Sequence, residues 1–181
     1  MKNFKNKVAV ITGAGSGMGR YLAILLAKDG ADVCICDVNE ETLNETLAML
    51  RKFNVSVSSH ILDVSDKEAI EALPQKVIDQ HGKVDMVFNN AGVTAGSHFQ
   101  DMKEDNWDWV MGINFNGVIN STRAFIPHLV NNSEAAIVNT SSIFGMVAVP
   151  GQSVYHATKL AVRGFTERLA LEMKQTNPNL Q

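Results

Sequence analysis

Cysteine is scarce, with two in 181 residues. Both, Cys34 and Cys36, alternate along one short apolar run, which marks them as packed thiols rather than a disulfide or a metal pair. No excess of positive charge exists either. Sixteen Lys and Arg face nineteen Asp and Glu, a formal charge of −3, and the two signs are interspersed. A nucleic-acid partner, which needs a basic stripe or patch, is thereby excluded. No apolar run approaches the ~20 residues that span a bilayer. The opening MKNFKNKVAVITG has lysines followed by a strand-length apolar run and a glycine, without the longer apolar region of a signal peptide. The five histidines (His60, His81, His98, His128, His156) show no metal-ligand spacing with cysteine or carboxylate, so no metal is expected. Repeats, low-complexity tracts and linkers are absent as well. Together these absences predict one soluble, cytoplasmic domain over residues 1–181 with no membrane association. Its 45% hydrophobic content suffices for a substantial core.

What is present alternates. Lys7–Thr12 is a β-branched run of strand length ending at glycine. Gly17–Asp29 carries Leu22, Leu25 and Leu26 at helical spacing and stops at Gly30, a C-cap. Ala31–Val38 reads as a second buried strand and Glu40–Arg51 as an amphipathic helix. Val55–Val64 gives a third strand, and Asp66–His81 a helix that Pro74 is expected to bend. Val84–Asn89 is strand four. A long helix over residues 105–130 follows, then strand five at Ala136–Thr140 and a last helix over 154–175. Near-continuously apolar strands alternating with helices call for a doubly wound, three-layer α/β/α parallel sheet with right-handed crossovers.

Two stretches carry chemistry. The first is the turn Thr12-Gly13-Ala14-Gly15-Ser16-Gly17-Met18-Gly19 between the first strand and its helix. Glycines there bring backbone N–H groups close to a pyrophosphate at a helix N-terminus. Met18 falls where the last glycine of the common G-x-G-x-x-G pattern belongs, and no Lys-Ser/Thr pair follows to make a P-loop. Asp37, at the end of strand two, stands where an acidic residue receives adenosine ribose hydroxyls. Its charge would repel a 2′-phosphate, so the expected cofactor is NAD rather than NADP. The second stretch runs from Ala136 to Lys159. Tyr155 and Lys159, four apart on a helix, share a face. A free phenol is almost wholly protonated at neutral pH. An ammonium beside it favours the phenolate and makes Tyr155 a usable general acid/base, with Ser142 placed to hold a substrate oxygen.

Taken together these features resemble the short-chain dehydrogenase/reductase family almost end to end. Thr12, Gly13, Gly17 and Gly19 fit its T-G-x-x-x-G-x-G turn, and Asn89-Asn90-Ala91-Gly92 fits its N-N-A-G motif. Asp63-Val64 is similar to its adenine-contacting pair. Asn114 matches its mid-helix asparagine, and Ser142, Tyr155 and Lys159 match its active-site trio. The resemblance implies a Rossmann fold and an NAD-dependent oxidoreductase acting on a secondary alcohol or ketone. Catalysis would fall to Asn114, Ser142, Tyr155 and Lys159. The cofactor would lie against Gly13, Ser16, Gly17, Met18, Gly19, Asp37, Asp63, Val64, Asn90, Ala91, Gly92, Tyr155 and Lys159. Asn114 is expected to interrupt its helix and hold a water leading to Lys159. The apolar lining at 94–99 and 143–150 favours an apolar substrate. The two long helices would pair copies into a homodimer or homotetramer.

Family members continue past the Tyr155 helix into a sixth strand, a Pro-Gly turn, a substrate-covering loop and a seventh strand. Here Asn177–Gln181 reads as the lead into strand six, so the resemblance implies a C-terminally incomplete domain with strand five as an unpaired edge. A non-catalytic dinucleotide-binding or dimerising module is the alternative to an active dehydrogenase.

Overall fold

The computed structural model describes residues 3–181. Five parallel strands, β1 (Val8–Thr12), β2 (Asp32–Asp37), β3 (Val57–Ile61), β4 (Met86–Asn89) and β5 (Ala136–Asn139), form one sheet in the order β3-β2-β1-β4-β5. The order reverses between β1 and β4, and a crevice opens there at the carboxyl ends of the strands.

Side-chain alternation along β1 and β2 divides the core. Ala9, Ile11, Val33 and Ile35 point to one face, under α1 (Gly17–Lys28) and α2 (Glu40–Leu50). Val8, Val10, Cys34 and Cys36 point to the other, under α3 (Lys67–His81). On that face α3 packs beside the helical run formed by α4 (Glu104–Met111), a π-turn (Gly112–Asn116) and α5 (Gly117–Leu129), with Phe125 and Leu129 fully buried. A last helix, α6 (Ser153–Thr176), follows β5. This is the Rossmann arrangement. Both cysteines are free, buried thiols.

Several boundaries differ from the expected ones. The third strand is shorter than Val55–Val64. After Ile61 only the Leu62 amide still bonds β2, at the Asp37 carbonyl (2.9 Å), and Asp63 then turns the chain by accepting from the Ser65 amide (2.8 Å). Helix α3 runs unbroken through Pro74. The helix expected over 105–130 contains the π-turn, centred on the fully buried Asn114. The edge of β5 is not bare, contrary to expectation. The Ala135 amide donates to the Asn179 carbonyl (2.9 Å) and the Ile137 amide to the Gln181 carbonyl (2.8 Å), so residues 179–181 cover the first half of that strand.

Candidate functional site

The crevice has two halves. The first, about 360 Å³, is lined by the glycine turn, the Asp37 strand end, Leu62–Val64 and Asn90–Val93. Its floor depends on close backbone approach. Gly13 has φ +66°, and a Cβ there would lie 2.7 Å from the Ala91 Cα. Gly19 sits beneath the turn rather than in the cleft lining, and a Cβ on it would lie 2.2 Å from the Gly13 carbonyl oxygen. Asn90 locks the two loops together, its Nδ2 donating to the carbonyls of Thr12 (3.1 Å) and Gly13 (3.2 Å). The Thr12 hydroxyl oxygen accepts from the Asn90 and Ala91 amides, both at 3.1 Å.

Helix α1 is built differently from its neighbours. Asn39 caps α2 through the Thr42 amide, and Asp66 caps α3 through the Ala69 amide. Both of those helices carry acids in the first turn. Ser16 at the start of α1 makes no side-chain cap, and its first turn has no acid. The opening N–H groups of α1 are therefore unspent, with a favourable dipole for an anion.

Asp37 closes the far edge. One carboxylate oxygen accepts from the Gly15 amide (2.8 Å) and the other from the Asn39 amide (3.0 Å). Each oxygen keeps a lone pair for a further donor. Arg20 lies behind the turn, where its guanidinium donates to the Gly15 and Thr42 carbonyls and pairs with Glu45 at 2.8 Å. It does not line the cleft.

The second half, about 430 Å³, shares Met18, Asn90, Gly92 and Val93 with the first and extends to Ser142, Tyr155 and Lys159. Lys159 is 3% exposed. Its Nζ donates to the Thr140 carbonyl at 2.8 Å and stands 5.7 Å from the centroid of the Tyr155 ring. The phenol ring also packs edge-to-face with Phe144, with centroids 6.0 Å apart. The two serines have separate duties. Ser141 Oγ donates to the Lys159 carbonyl (2.9 Å) and ties the β5 end to α6. Ser142 Oγ accepts from the Phe144 amide (3.1 Å) and keeps its proton for another partner.

Asn114 is a clamp. Its Oδ1 accepts from the Val93 amide (2.8 Å), while its Nδ2 donates to the Val93 carbonyl (2.9 Å) and to Thr158 Oγ1 (3.3 Å). The π-turn aims this side chain at the loop after β4, where both amide atoms bond Val93.

Burial lowers the Lys159 pKa from its ordinary 10.5. The folded chain thus holds this proton less tightly than the unfolded one. Its contribution to stability is full above the ordinary lysine value and is lost as pH falls through the lowered folded value. Unfolding free energy should therefore rise with pH on the alkaline side, and Lys159→Met should flatten that rise. Denaturant titrations of both proteins across this range check it; equal slopes would assign the rise to another group.

The structure also shows roles that the sequence reading did not assign. Thr140 offers the carbonyl that fixes Lys159, Ser141 splints β5 to α6, and Thr12 is the hub between the two loops. Val38, Leu62, Val93 and Ile113 line the first cleft and Gln152 the second, where Thr94 is the one residue of the expected 94–99 lining. Gln152 was findable, since it precedes Tyr155 by three residues and Lys159 by seven on one helix face. Among the described residues no group of three or more His, Cys, Asp or Glu is arranged to hold a metal ion. None of their helices is long and apolar enough to cross a membrane.

Residues 7–180 match the sequence pattern of the short chain dehydrogenase family, and the chain belongs to that family. The Mycobacterium tuberculosis protein SadH is 43% identical over 173 residues, which are 96% of this chain and 63% of SadH. The 3-oxoacyl-[acyl-carrier-protein] reductase FabG of Thermotoga maritima is 35% identical, with 96% of this chain and 70% of that protein covered. Among solved structures, a short chain dehydrogenase/reductase from Burkholderia phymatum in complex with NAD superposes with TM-score 0.96 at 38% identity, covering 99% of this chain and 64% of that one. An NAD⁺-bound xylitol dehydrogenase superposes with TM-score 0.94 at 32% identity, covering 99% and 69%. The chain thus spans about two thirds of the length of these relatives.

Proposed function

We propose that this chain is the cofactor-binding and proton-transfer region of an NAD-dependent oxidoreductase that interconverts secondary alcohols and ketones. The observation that carries this reading is the buried ammonium of Lys159, held by the Thr140 carbonyl beside the Tyr155 ring at the mouth of the continuous crevice. Burying a cation costs free energy unless something is gained from it. The Thr140 carbonyl offsets only part of that cost, and what the position supplies is a positive charge fixed next to a phenol.

The residues fit the dinucleotide. The unspent N–H groups of α1 suit the pyrophosphate, and the free lone pairs of Asp37 suit the adenosine ribose hydroxyls. Leu62, Asp63 and Val64 give the adenine a wall. Ala91 and Gly92 continue the cleft towards the nicotinamide end. NAD supplies the hydride acceptor when bound, and NADH the donor. That relatives of 38% and 32% identity hold NAD supports the choice of cofactor.

Tyr155 takes the alcohol proton during oxidation and returns it to the ketone oxygen during reduction. Lys159 stabilises the negative charge that develops on the phenol oxygen as the proton moves. Ser142 donates its unspent hydroxyl proton to the substrate oxygen, which keeps that oxygen within reach of the phenol. Ser141 and Asn114 are positioning residues that hold α6 and the loop after β4. The pocket lining, with Ile143, Phe144 and Val93, favours an apolar substrate. Exposed Trp109, Leu160 and Leu171 on α4 and α6 support self-association through those helices.

A second reading is a domain that binds NAD without turnover. It draws on Ile143, Met146 and Val147, which are 61%, 63% and 53% exposed, so the substrate side is open to water. Calorimetric NAD titration followed by a turnover assay on a panel of secondary alcohols separates the two. Binding with turnover supports the oxidoreductase, binding alone supports the second reading, and no binding contradicts both.

Cofactor choice has its own test. Asp37→Ala combined with Val38→Arg removes the carboxylate and adds a cation at the same edge of the cleft. The NAD-over-NADP affinity ratio should fall about tenfold or more, because NAD loses a charge-assisted hydrogen bond while the 2′-phosphate of NADP loses a repelling carboxylate and gains a cation. Fluorescence titration with both dinucleotides measures it, and an unchanged ratio would place the ribose anchor elsewhere.

A further inference from the structure

The Gly15 peptide, in the glycine turn, is gripped at both ends. Its amide donates to one carboxylate oxygen of Asp37 (2.8 Å). Its carbonyl accepts from the Arg20 guanidinium, from Nε at 3.0 Å and from Nη2. The approach leaves no room for a side chain, since a Cβ on Gly15 would lie 2.8 Å from the Asp37 Cγ and 2.6 Å from Thr42 Oγ1. The Asp37 carboxylate therefore rests directly on this peptide.

The guanidinium is itself braced. Nε also donates to Thr46 Oγ1 (2.9 Å), and Nη2 to the Thr42 carbonyl (3.1 Å) and to Glu45 Oε2 (2.8 Å). Thr46 is fully buried, and its hydroxyl lies 3.0 Å from the Ala14 carbonyl. A planar fork of donors on fixed acceptors thus ties α1 and α2 to the turn. Neither Arg20 nor Gly15 lines the cleft, whereas Asp37 does. Glu45 pairs with the guanidinium at 2.8 Å and offsets its charge, so what Arg20 passes to the cleft is direction.

Resting on the assignment of Asp37 to the adenosine ribose, we propose that Arg20 is a positioning residue for the cofactor. By holding the Gly15 carbonyl it turns the Gly15 amide onto Asp37, and so sets the direction in which that carboxylate meets the ribose hydroxyls. Without the guanidinium the peptide is free to rotate, and Asp37 loses one of its two backbone donors.

The test uses AMP and its 2′,3′-dideoxy analogue, which differ only in the hydroxyls that Asp37 would receive. Dissociation constants come from ligand-observed NMR, and thermal denaturation shows that each variant is folded. The unaltered chain should prefer AMP about tenfold, the scale of one hydrogen bond to a charged group. Arg20→Gln should reduce that preference to about twofold. Arg20→Lys keeps a charge but not the fork, and should recover only part of it. Asp37→Ala should remove the preference, and adding Arg20→Gln to it should change the ratio no further. A preference that survives Arg20→Gln, or that Arg20→Lys restores in full, overturns the proposal. So does an equal loss for both nucleotides, which is what a general loosening of α1 would give. An unaltered chain indifferent to the two hydroxyls contradicts the assignment of Asp37, and one that binds neither nucleotide contradicts the cofactor reading itself. In both of those cases the role of Arg20 falls too.

Discussion

Tyr155→Phe is expected to slow hydride transfer by ~10²–10⁴-fold, the usual contribution of a positioned proton donor, and to leave NAD affinity nearly unchanged. The substitution removes one oxygen and little else. The ring keeps its edge-on contact with Phe144 at 6.0 Å, and Lys159 keeps its bond to the Thr140 carbonyl at 2.8 Å. The cofactor cleft loses none of its lining, because Tyr155 faces only the second half of the crevice. Single-turnover measurements on a secondary alcohol, paired with NAD titration, separate rate from affinity. A variant that keeps its rate would move the proton-transfer role to another group, with Ser142 the first to examine.

Gly19→Ala should disable the cofactor cleft although Gly19 does not line it. The added methyl would lie 2.2 Å from the Gly13 carbonyl oxygen and 2.6 Å from Asn90 Nδ2. Neither neighbour yields easily, since one is backbone and the other is the side chain that binds the two loops together. Overpacking of this kind costs ~1–3 kcal/mol, and the movement that relieves it displaces the glycine turn. NAD affinity should fall ~10–100-fold, a similar free energy. Gly164→Ala is the control: a Cβ there meets nothing within 4 Å. That change in α6 should leave NAD binding alone and stabilise the chain by roughly 0.5–1 kcal/mol. Denaturant titration and fluorescence binding measure both. Equal behaviour of the two variants would mean that close packing under the turn does not shape the site.

The strands and helices were legible because their signals are local. β-Branched runs ended by glycine and leucines at helical spacing gave each of β1, α1, β2 and α2 within a residue or two. The glycine turn, Asp37, and the Tyr155 and Lys159 pair could be placed for the same reason, since each depends on short spacing. What escaped was long-range polar bonding. The Val8 amide donates to the Asp85 carboxylate at 2.8 Å across 77 residues, and Lys83 pairs with that same buried carboxylate at 2.9 Å. Thr12 meets Asn90 across 78 residues. No periodicity announces such partners, because they exist only once the sheet has brought β1 and β4 together. The cover over β5 escaped for a related reason. Asn177–Gln181 carries the pattern of an approach to a strand, and its bonds to residues 135–137 depend on where α6 ends.

Asn114 shows how a residue can be picked out in a sequence while the direction of its side chain is not. Its position in a long helix pointed to an interruption, and a π-turn is there. The π-turn widens the backbone and swings the amide onto Val93. Sequence spacing carries no information about that direction.

A structure of this chain with NAD(H) bound decides whether the crevice seats the cofactor beside the phenol. The pyrophosphate should lie on the first-turn amides of α1, the adenosine ribose on Asp37, and the nicotinamide ring beside the Tyr155 hydroxyl and Lys159. A cofactor whose nicotinamide end lies outside the Tyr155 cleft, or whose pyrophosphate lies off the glycine turn, would contradict that placement.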